Sequence, residues 1–404
     1  YSADMPVLCA DAAQPDSLIF AGLTSAYCRG VIALTNDDNA NLAVAIAARL
    51  LAPSLPALCR AEHPETVANM ASFGTRHIIN PFEKFGEYMA LALHSPAAYH
   101  LLLWLTGLPG TAVTRHREPP AGKWVLCGYG TFGKVMADAL ESAGLPVTVI
   151  DRAAPLAAAH NWVKGDGTGV EALIAARIED AVGIVAATAN DVNNLSTVVT
   201  ARQLNPKLFT VLRQNHVANR ALFDAFESDF AMVPAEIVAH ECLAILTTPL
   251  LAPFLDAVRK ADDSWAESLL KNLTDQFGWD VPAVWSVTLN IAQAPSVYRL
   301  LMRHASTLCL ADLLRAPESG RAALACIPLL LLREGDPPRL LPDAAEEIHL
   351  GDQLLFAGRE RARKDLSLTL FNSHTLKYVL TGQDSPGGLV WEWLAARREK
   401  RNTV

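Results

Sequence analysis

Gly128-Tyr129-Gly130-Thr131-Phe132-Gly133 is the stretch on which the fold turns. An apolar run, 123–127, leads into it, a helix-favouring stretch follows it to Gly144, and a second apolar run, 147–150, ends on Asp151. G-x-G-x-x-G alone is a common pattern. Between a strand and a helix, with an acid about twenty residues on, it reads as the phosphate loop of a dinucleotide-type Rossmann unit. Gly128 makes the tight turn, Gly130 lets the backbone approach a pyrophosphate, and Gly133 lets helix and strand close up. Thr131 and Phe132 open a helix whose unpaired N–H groups and partial positive charge suit phosphate. Asp151 can accept hydrogen bonds from ribose hydroxyls, which favours NAD(H) over NADP(H), although Arg152 beside it could hold a 2′-phosphate. Asp166 and Thr188, at the ends of the third and fourth strands, read either as ligand contacts or as helix caps. The same loop also suits ATP or ADP, and the competing reading is a glycine turn that holds no ligand.

Outward from the loop, apolar runs at 161–164, 183–187, 209–212 and 230–233 alternate with helical stretches at 171–176, 193–204 and 217–226. Alternating β and α with apolar strands predicts an α/β fold, a doubly wound parallel sheet covered on both faces. A shift of about 153 residues then aligns the chain with itself: Thr35 with Thr188, Asp38 with Asp191, Asn41 with Asn194, Arg60 with Arg213, His63 with His216, Pro81 with Pro234 and Pro96 with Pro249. One offset held through so many polar and proline positions predicts a duplicated domain. The first copy has no glycine loop and starts at the equivalent of the third strand, near residues 7–9. In the order 3-2-1-4-5-6, strands 1 and 2 lie between strands 3 and 4. The missing half is therefore expected in a longer parent chain, an expectation that the opening at Tyr1 shares.

Residues 82–105 are apolar on most faces (Phe82, Phe85, Met89, Leu93, Leu101, Trp104), which predicts burial between two domains. Phe254, Leu255 and Val258 stand in the comparable region of the second copy. Beyond 280 the pattern changes: strands at 281–290 and 325–332, helices at 296–301 and 307–313, and a hairpin at 347–358 predict a small α+β lobe. The domains expected are a partial first Rossmann domain over 1–110, a linker at 111–122, a second Rossmann domain over 123–280, the lobe over 281–366 and a tail over 367–404. The tail, with Trp391, Trp393 and the basic run at 397–401, is expected to be an amphipathic helix with a frayed end.

A formal net charge of −8 argues against a nucleic-acid partner. The seven cysteines are scattered with no C-x-x-C pair, as expected of reduced thiols in a cytoplasmic protein. No run reaches the roughly 18–20 apolar residues that span a bilayer, and no leader peptide is expected. His160, His216 and His240 belong to no catalytic pattern, and no metal-site spacing is present. The expectation is a sensor with no catalytic residue and no metal, rather than an enzyme such as an NAD-dependent dehydrogenase.

Lys164-Gly-Asp-Gly-Thr168, Val185-Ala-Ala-Thr-Ala-Asn-Asp191, Asn194-Leu195, Ala201-Arg-Gln-Leu-Asn-Pro206 and Pro234 together resemble the RCK (regulator of K⁺ conductance) or Trk-N domain. Leu34-Thr-Asn-Asp-Asp38 and Ile79-Asn-Pro-Phe82 repeat the resemblance in the first copy, and 348–358 resembles the family's C-terminal lobe. The resemblance implies a nucleotide-sensing regulator at the cytoplasmic face of the membrane, partnered by a potassium channel pore or by the membrane subunit of a potassium transporter. It implies homo-oligomers: four tandem chains would form an eight-domain gating ring. Residues 82–107 and 236–263 would be its crossover helices, kinked near Pro96 and Pro249. Some members hold Ca²⁺ through acids near the positions of Asp37, Asp38 and Glu62. Here Arg60 stands where another acid would help, and these read as solvated turn acids.

Overall fold

The computed structural model describes every residue except 1–5, 108, 113–116, 154–160, 304–306, 319–321 and 383–404. His160 and the tail beyond 382 thus lie outside the described residues. The first copy runs α1 (Pro15–Phe20), β1 (Val31–Ala33), α2 (Asp38–Leu51), β2 (Ala57–Arg60), α3 (Pro64–Ser72), β3 (His77–Ile79) and α4 (Pro81–His94), and α5 (Pro96–Thr106) follows. The second runs β4 (Trp124–Cys127), α6 (Thr131–Ser142), β5 (Val147–Asp151), β6 (Asn161–Lys164), α7 (Val170–Ala175), β7 (Gly183–Ala186), α8 (Asp191–Leu204), β8 (Phe209–Arg213), α9 (Arg220–Phe226), β9 (Phe230–Met232) and α10 (Pro234–Thr247). A shift of 153 carries α2 onto α8, β3 onto β9 and α4 onto α10, end for end.

All strands of the second copy pair in parallel, in the order β6-β5-β4-β7-β8-β9. That is the doubly wound 3-2-1-4-5-6 arrangement, with the glycine loop at the point where strand order reverses. Every side chain of β4 and β7 is buried, as a sheet covered on both faces requires. The first copy has three parallel strands, β1-β2-β3, around a small core of Val44, Ala45, Cys59 and Met70. No strand forms at residues 7–9, where an equivalent of the third strand was expected; Val7 and Leu8 are exposed. That strand would pair only with the second strand of its sheet, and the described residues of this copy supply none.

What the two copies share beyond shape is a buried asparagine. Asn41 accepts from the Thr35 N–H and hydroxyl at 2.9 and 2.8 Å and donates to the carbonyls of Thr35 and Arg60 at 2.9 and 3.0 Å. Asn194 does the same with Thr188 and Arg213, at 2.9, 2.6, 2.9 and 2.7 Å. Both amides lie wholly out of solvent with their hydrogen-bonding capacity used, so each ties two strand ends to the helix between them.

By chain contacts the molecule divides into two compact units, Tyr1–Pro96 with His116–Cys242, and Ala97–Arg115 with Leu243–Val404. The first holds both Rossmann copies. Helix α4 of the first copy lies on α6 of the second: Phe82 and Phe85 face Phe132 at ring distances of 5.7 and 5.6 Å, and Gly86 sits against Val135. The prediction that residues 82–105 pair the copies therefore holds for α4. Helix α5 also meets the second copy, at the far end of its expected range: Trp104 stacks on Trp279 at 6.2 Å and donates to the Asp280 carbonyl at 2.9 Å, within the second unit. The break falls at Ser95, after which Pro96 starts the new helix.

The second unit continues with α11 (Leu251–Lys260), α12 (Asp263–Phe277), β10 (Ala283–Thr288), α13 (Pro295–Met302), α14 (Leu310–Leu313), β11 (Cys326–Leu332), β12 (Arg339–Leu340), β13 (Gln353–Gly358), α15 (Glu360–Phe371) and α16 (Ser373–Thr381). Its antiparallel sheet has the order β10-β13-β11-β12. The hairpin expected at 347–358 does not form. β13 is flanked by β10 and β11 instead, which leaves no free edge for residues 347–350. The fully buried Asp352 holds that turn, accepting from His349 N–H at 2.8 Å and from the Arg333 guanidinium at 2.9 and 2.8 Å. Leu366, Leu370 and Leu376, from α15 and α16, join Trp285, Leu331 and Phe356 in this unit's core.

Candidate functional site

Gly128 has φ +94°, a left-handed conformation that a side chain would strain, and a Cβ there would meet the Thr188 methyl at 2.9 Å. A Cβ on Gly133 would lie 2.0 Å from the Gly128 carbonyl oxygen, so helix α6 rests directly on the turn. At Gly130 a Cβ would meet nothing within 4 Å. The three glycines thus divide the work: two let backbone meet backbone, and the middle one faces open space at the start of α6.

That space is a cavity of about 390 Å³ lined by Gly128, Tyr129, Gly130, Thr131, Asp151, Ala187, Thr188, Ala189 and Arg213 of the second copy, and by Glu62, His63 and Phe82 of the first. Its volume is within the range of small-molecule sites. Asp151 accepts from the Tyr129 N–H at 2.7 Å and from the Ala153 N–H at 2.9 Å, which anchors its carboxylate at the loop. The Thr188 hydroxyl donates to Asn194 at 2.6 Å while the residue itself lines the cavity; the cap of α8 is Asn190, not Thr188.

Of the residues singled out in the sequence, five therefore line one cavity: Gly128, Gly130, Thr131, Asp151 and Thr188. Gly133 lies beneath the turn. Phe132 is fully buried, with its ring between Phe82, Phe85 and the Arg213 guanidinium. Arg152 and Asp166 pair with each other at 3.2 Å over a neighbouring groove. Hydrogen bonds from Thr168 and Arg152 hold the Asp166 carboxyl below its usual range.

Asp37 caps α2, accepting from the N–H groups of Asn39 and Ala40. Asp38 accepts from the N–H groups of Glu62 and His63 at 3.0 and 2.9 Å and contacts His63 Nδ1 at 2.9 Å. Glu62 pairs with Arg60.

Sequence reasoning missed the far wall. Glu62, His63 and Phe82 arrive there only because α4 lies on α6, and nothing local marks them. Arg213 had a signal, its alignment with Arg60. Its guanidinium lies 4.6 Å from the Phe82 ring centre and 6.0 Å from that of Phe132. Its Nε is buried without a hydrogen-bond partner. Burial pulls its pKa down; the charges of Glu62 and Asp191 oppose the shift and Arg60 adds to it.

Residues 1–81 and 124–234 match the family model described as the TrkA-N domain. The chain is similar to potassium channel protein 1 of Methanocaldococcus jannaschii, 25% identical over 142 residues, which cover 33% of this chain and 43% of that one. It is also similar to the Trk system potassium uptake protein TrkA homolog of Pyrococcus abyssi, 29% identical over 136 residues, or 31% of this chain and 60% of that one. The chain thus spans less than two thirds of the length of either relative. A solved structure described as the GsuK channel bound to NAD aligns over 90% of this chain and 70% of its own, at 17% identity and a TM-score of 0.47. Both Rossmann segments of the chain thus match the TrkA-N domain.

Proposed function

We propose that this chain is a nucleotide-sensing regulatory module that controls potassium transport by a membrane channel or transporter. One observation carries the reading: the glycine-loop cavity of the second copy is walled on its far side by the first copy. A ligand seated there touches both domains, so its affinity depends on how the two are set. By the same linkage, its binding biases that setting. A regulator needs this property, and a passive cofactor holder does not.

The residues fit a ribose-linked diphosphate. Gly130 leaves room for phosphate, the first N–H groups of α6 point their charge at it, and Asp151 stands at the end of β5 for the ribose. NAD(H) is the first candidate ligand, and ADP or ATP the alternative. Among the described residues no single helix is long and apolar enough to cross a membrane. The pore is therefore assigned to a membrane partner or to another part of a longer chain, with this module at the cytoplasmic face. Assembly of four such chains into a ring is part of the same reading.

Calorimetric titration with NADH and ADP tests the binding. Both should bind wild type, and Gly130→Val and Asp151→Ala should each abolish it while leaving the fold intact. A Gly130→Val allele at the chromosomal locus tests the rest, because rubidium flux should then stop responding to the cell's energy state. Light scattering across a concentration series tests the ring.

A second reading, hydride transfer, rests on His63. Held by Asp38, it lines the same cavity and could move a proton. Oxidation of NADH by any small carbonyl compound that is lost in His63→Ala would favour it.

A further inference from the structure

Arg60 and Arg213 occupy the same position in the two copies, and their surroundings differ. The Arg60 guanidinium donates to the Thr35 carbonyl at 3.3 Å, to the Asn36 side-chain oxygen and to the Glu62 carboxylate. The repeat offset puts Ala189 in place of Asn36 and Asn215 in place of Glu62. Ala189 has no side-chain acceptor, and the Asn215 amide is turned to Asp191 Oδ1 at 2.8 Å. Among the described residues the Arg213 side chain accordingly makes no hydrogen bond and no ion pair. It is held by aromatic faces alone, Phe82 of the first copy and Phe132 of the loop.

A half-buried guanidinium that makes no hydrogen bond or ion pair works against folding, and the charges of Glu62 and Asp191 offset only part of its burial. The copy that lacks a glycine loop neutralises its arginine within the chain. The copy that has the loop leaves its arginine without an ion pair, on the wall of the loop's own cavity. Among the residues lining that cavity, Arg213 alone carries a permanent positive charge, and Asp151 and Glu62 supply two negative ones. A diphosphate brought in by the loop would meet a cation whose hydrogen-bond donors are unused.

We propose that Arg213 is the phosphate-recognising side chain of this site, stacked on Phe82 so that the first copy takes part in recognition. The inference rests on the nucleotide reading above and adds what discriminates among nucleotides. The loop and Asp151 accept any ribose-linked phosphate, whereas Arg213 makes affinity rise with phosphate charge. Phe82 projects from α4, so a phosphate that draws Arg213 out of its stack loosens the contact between the copies.

The test is calorimetric titration of adenosine, AMP, ADP and NADH into wild type and Arg213→Met, with a melt of each protein without ligand. Wild type should bind ADP and NADH about tenfold or more tighter than adenosine, and Arg213→Met should lose that preference while keeping its affinity for adenosine. Its melting temperature without ligand should be no lower than wild type, because a cation without an anion partner has been replaced by an apolar chain of similar length. Arg213→Gln gives the same comparison should the methionine variant fail to fold. An unchanged preference for ADP in either folded variant overturns the assignment of Arg213 and leaves the nucleotide reading standing. So does an equal loss of affinity for adenosine and ADP, since that is how a merely structural residue behaves. Wild type that binds none of the four overturns both.

Discussion

The two Rossmann copies are built on one plan and put to different use. Both carry the Thr–Asn–Arg hydrogen-bond network, an aspartate (Asp38, Asp191) that receives the backbone N–H groups at the end of the next strand, and a proline that opens the following helix. These tie strand to helix, and duplication preserved them. The copies differ at the edge of the sheet. In the second, β4 with its glycine loop lies beside β7. In the first, β1 pairs only with β2 among the described residues. The copy without a loop contributes a wall, and the copy with one contributes the ligand site. A domain need not bind a nucleotide to shape how its neighbour does.

The harshest way to break this comparison is to separate the copies. Phe82 and Phe85 are buried against Phe132 of the second copy, and the three-stranded sheet has only a small core of its own. Residues 1–110 expressed alone should therefore show no cooperative melt and a collapsed NMR spectrum. A dispersed spectrum would mean that the first copy is an independent domain.

A smaller blow falls on the loop. Gly133→Ala forces a methyl group to within 2.0 Å of the Gly128 carbonyl oxygen, in backbone that cannot yield without moving α6 off the turn. Overpacking of this kind costs about 1–3 kcal/mol or more. It should appear in a denaturant melt together with loss of nucleotide binding. Gly130→Ala, in open space, should melt like wild type, since its Cβ meets nothing within 4 Å. Equal destabilisation by the two would remove the division of labour assigned to these glycines.

Smaller still is a pH effect confined to the second copy. Burial raises the pKa of Asp191, but hydrogen bonds from the Asn215 and His216 N–H groups and from the Asn215 and Asn219 amides outweigh it, and the net shift is downward. A carboxylate held below its unfolded value, about 3.9, contributes stability that is complete above that pH and is lost as pH falls through the folded value. Asp191→Asn should therefore be less stable than wild type at pH 7, with the gap closing in melts below about pH 4. A gap that stays constant across that range would show that packing, not charge, is what Asp191 supplies.

Much of the second copy could be read from residues because its signals are local. Continuous apolar strands, a glycine loop, Gly144 at the helix end and Asp151 at the strand end each lie within a few residues of what they specify. The offset of 153 extended that reading to the first copy. The lobe's hairpin misled because 347–358 looks like strand, turn and strand, whereas the partners of β13 lie far off in the chain at Ala283–Thr288 and Cys326–Leu332. The site's far wall was hidden for the same reason. Glu62, His63 and Phe82 are ordinary residues until α4 is laid on α6. Arg213 falls between these cases: the alignment displays its changed neighbours, Ala189 for Asn36 and Asn215 for Glu62. That change has meaning only once Arg60 is seen bonded to the residues that were replaced.

The subtlest test follows from that last point and leaves Arg213 itself untouched. Ala189→Asn returns to the second copy the side-chain oxygen that Asn36 offers Arg60. If the two positions are as alike as their networks, the new amide should accept from Arg213 and compete with phosphate for its donors. A hydrogen bond from a charged guanidinium of this kind contributes about 1.5–3 kcal/mol. Affinity for ADP should therefore fall by about tenfold or more, with a melting temperature equal to or above that of wild type. Because Ala189 lines the cavity, a bulkier side chain could also crowd the ligand, and adenosine separates the two effects. Crowding weakens adenosine and ADP together, whereas competition for Arg213 weakens ADP alone. Ala189→Leu, comparable in bulk and without an acceptor, completes the comparison: it should reproduce any crowding and none of the competition. If the leucine variant lowers the ADP preference as much as the asparagine variant does, then the copies do not differ through the partners of their arginines, and the contrast drawn between Arg60 and Arg213 is wrong.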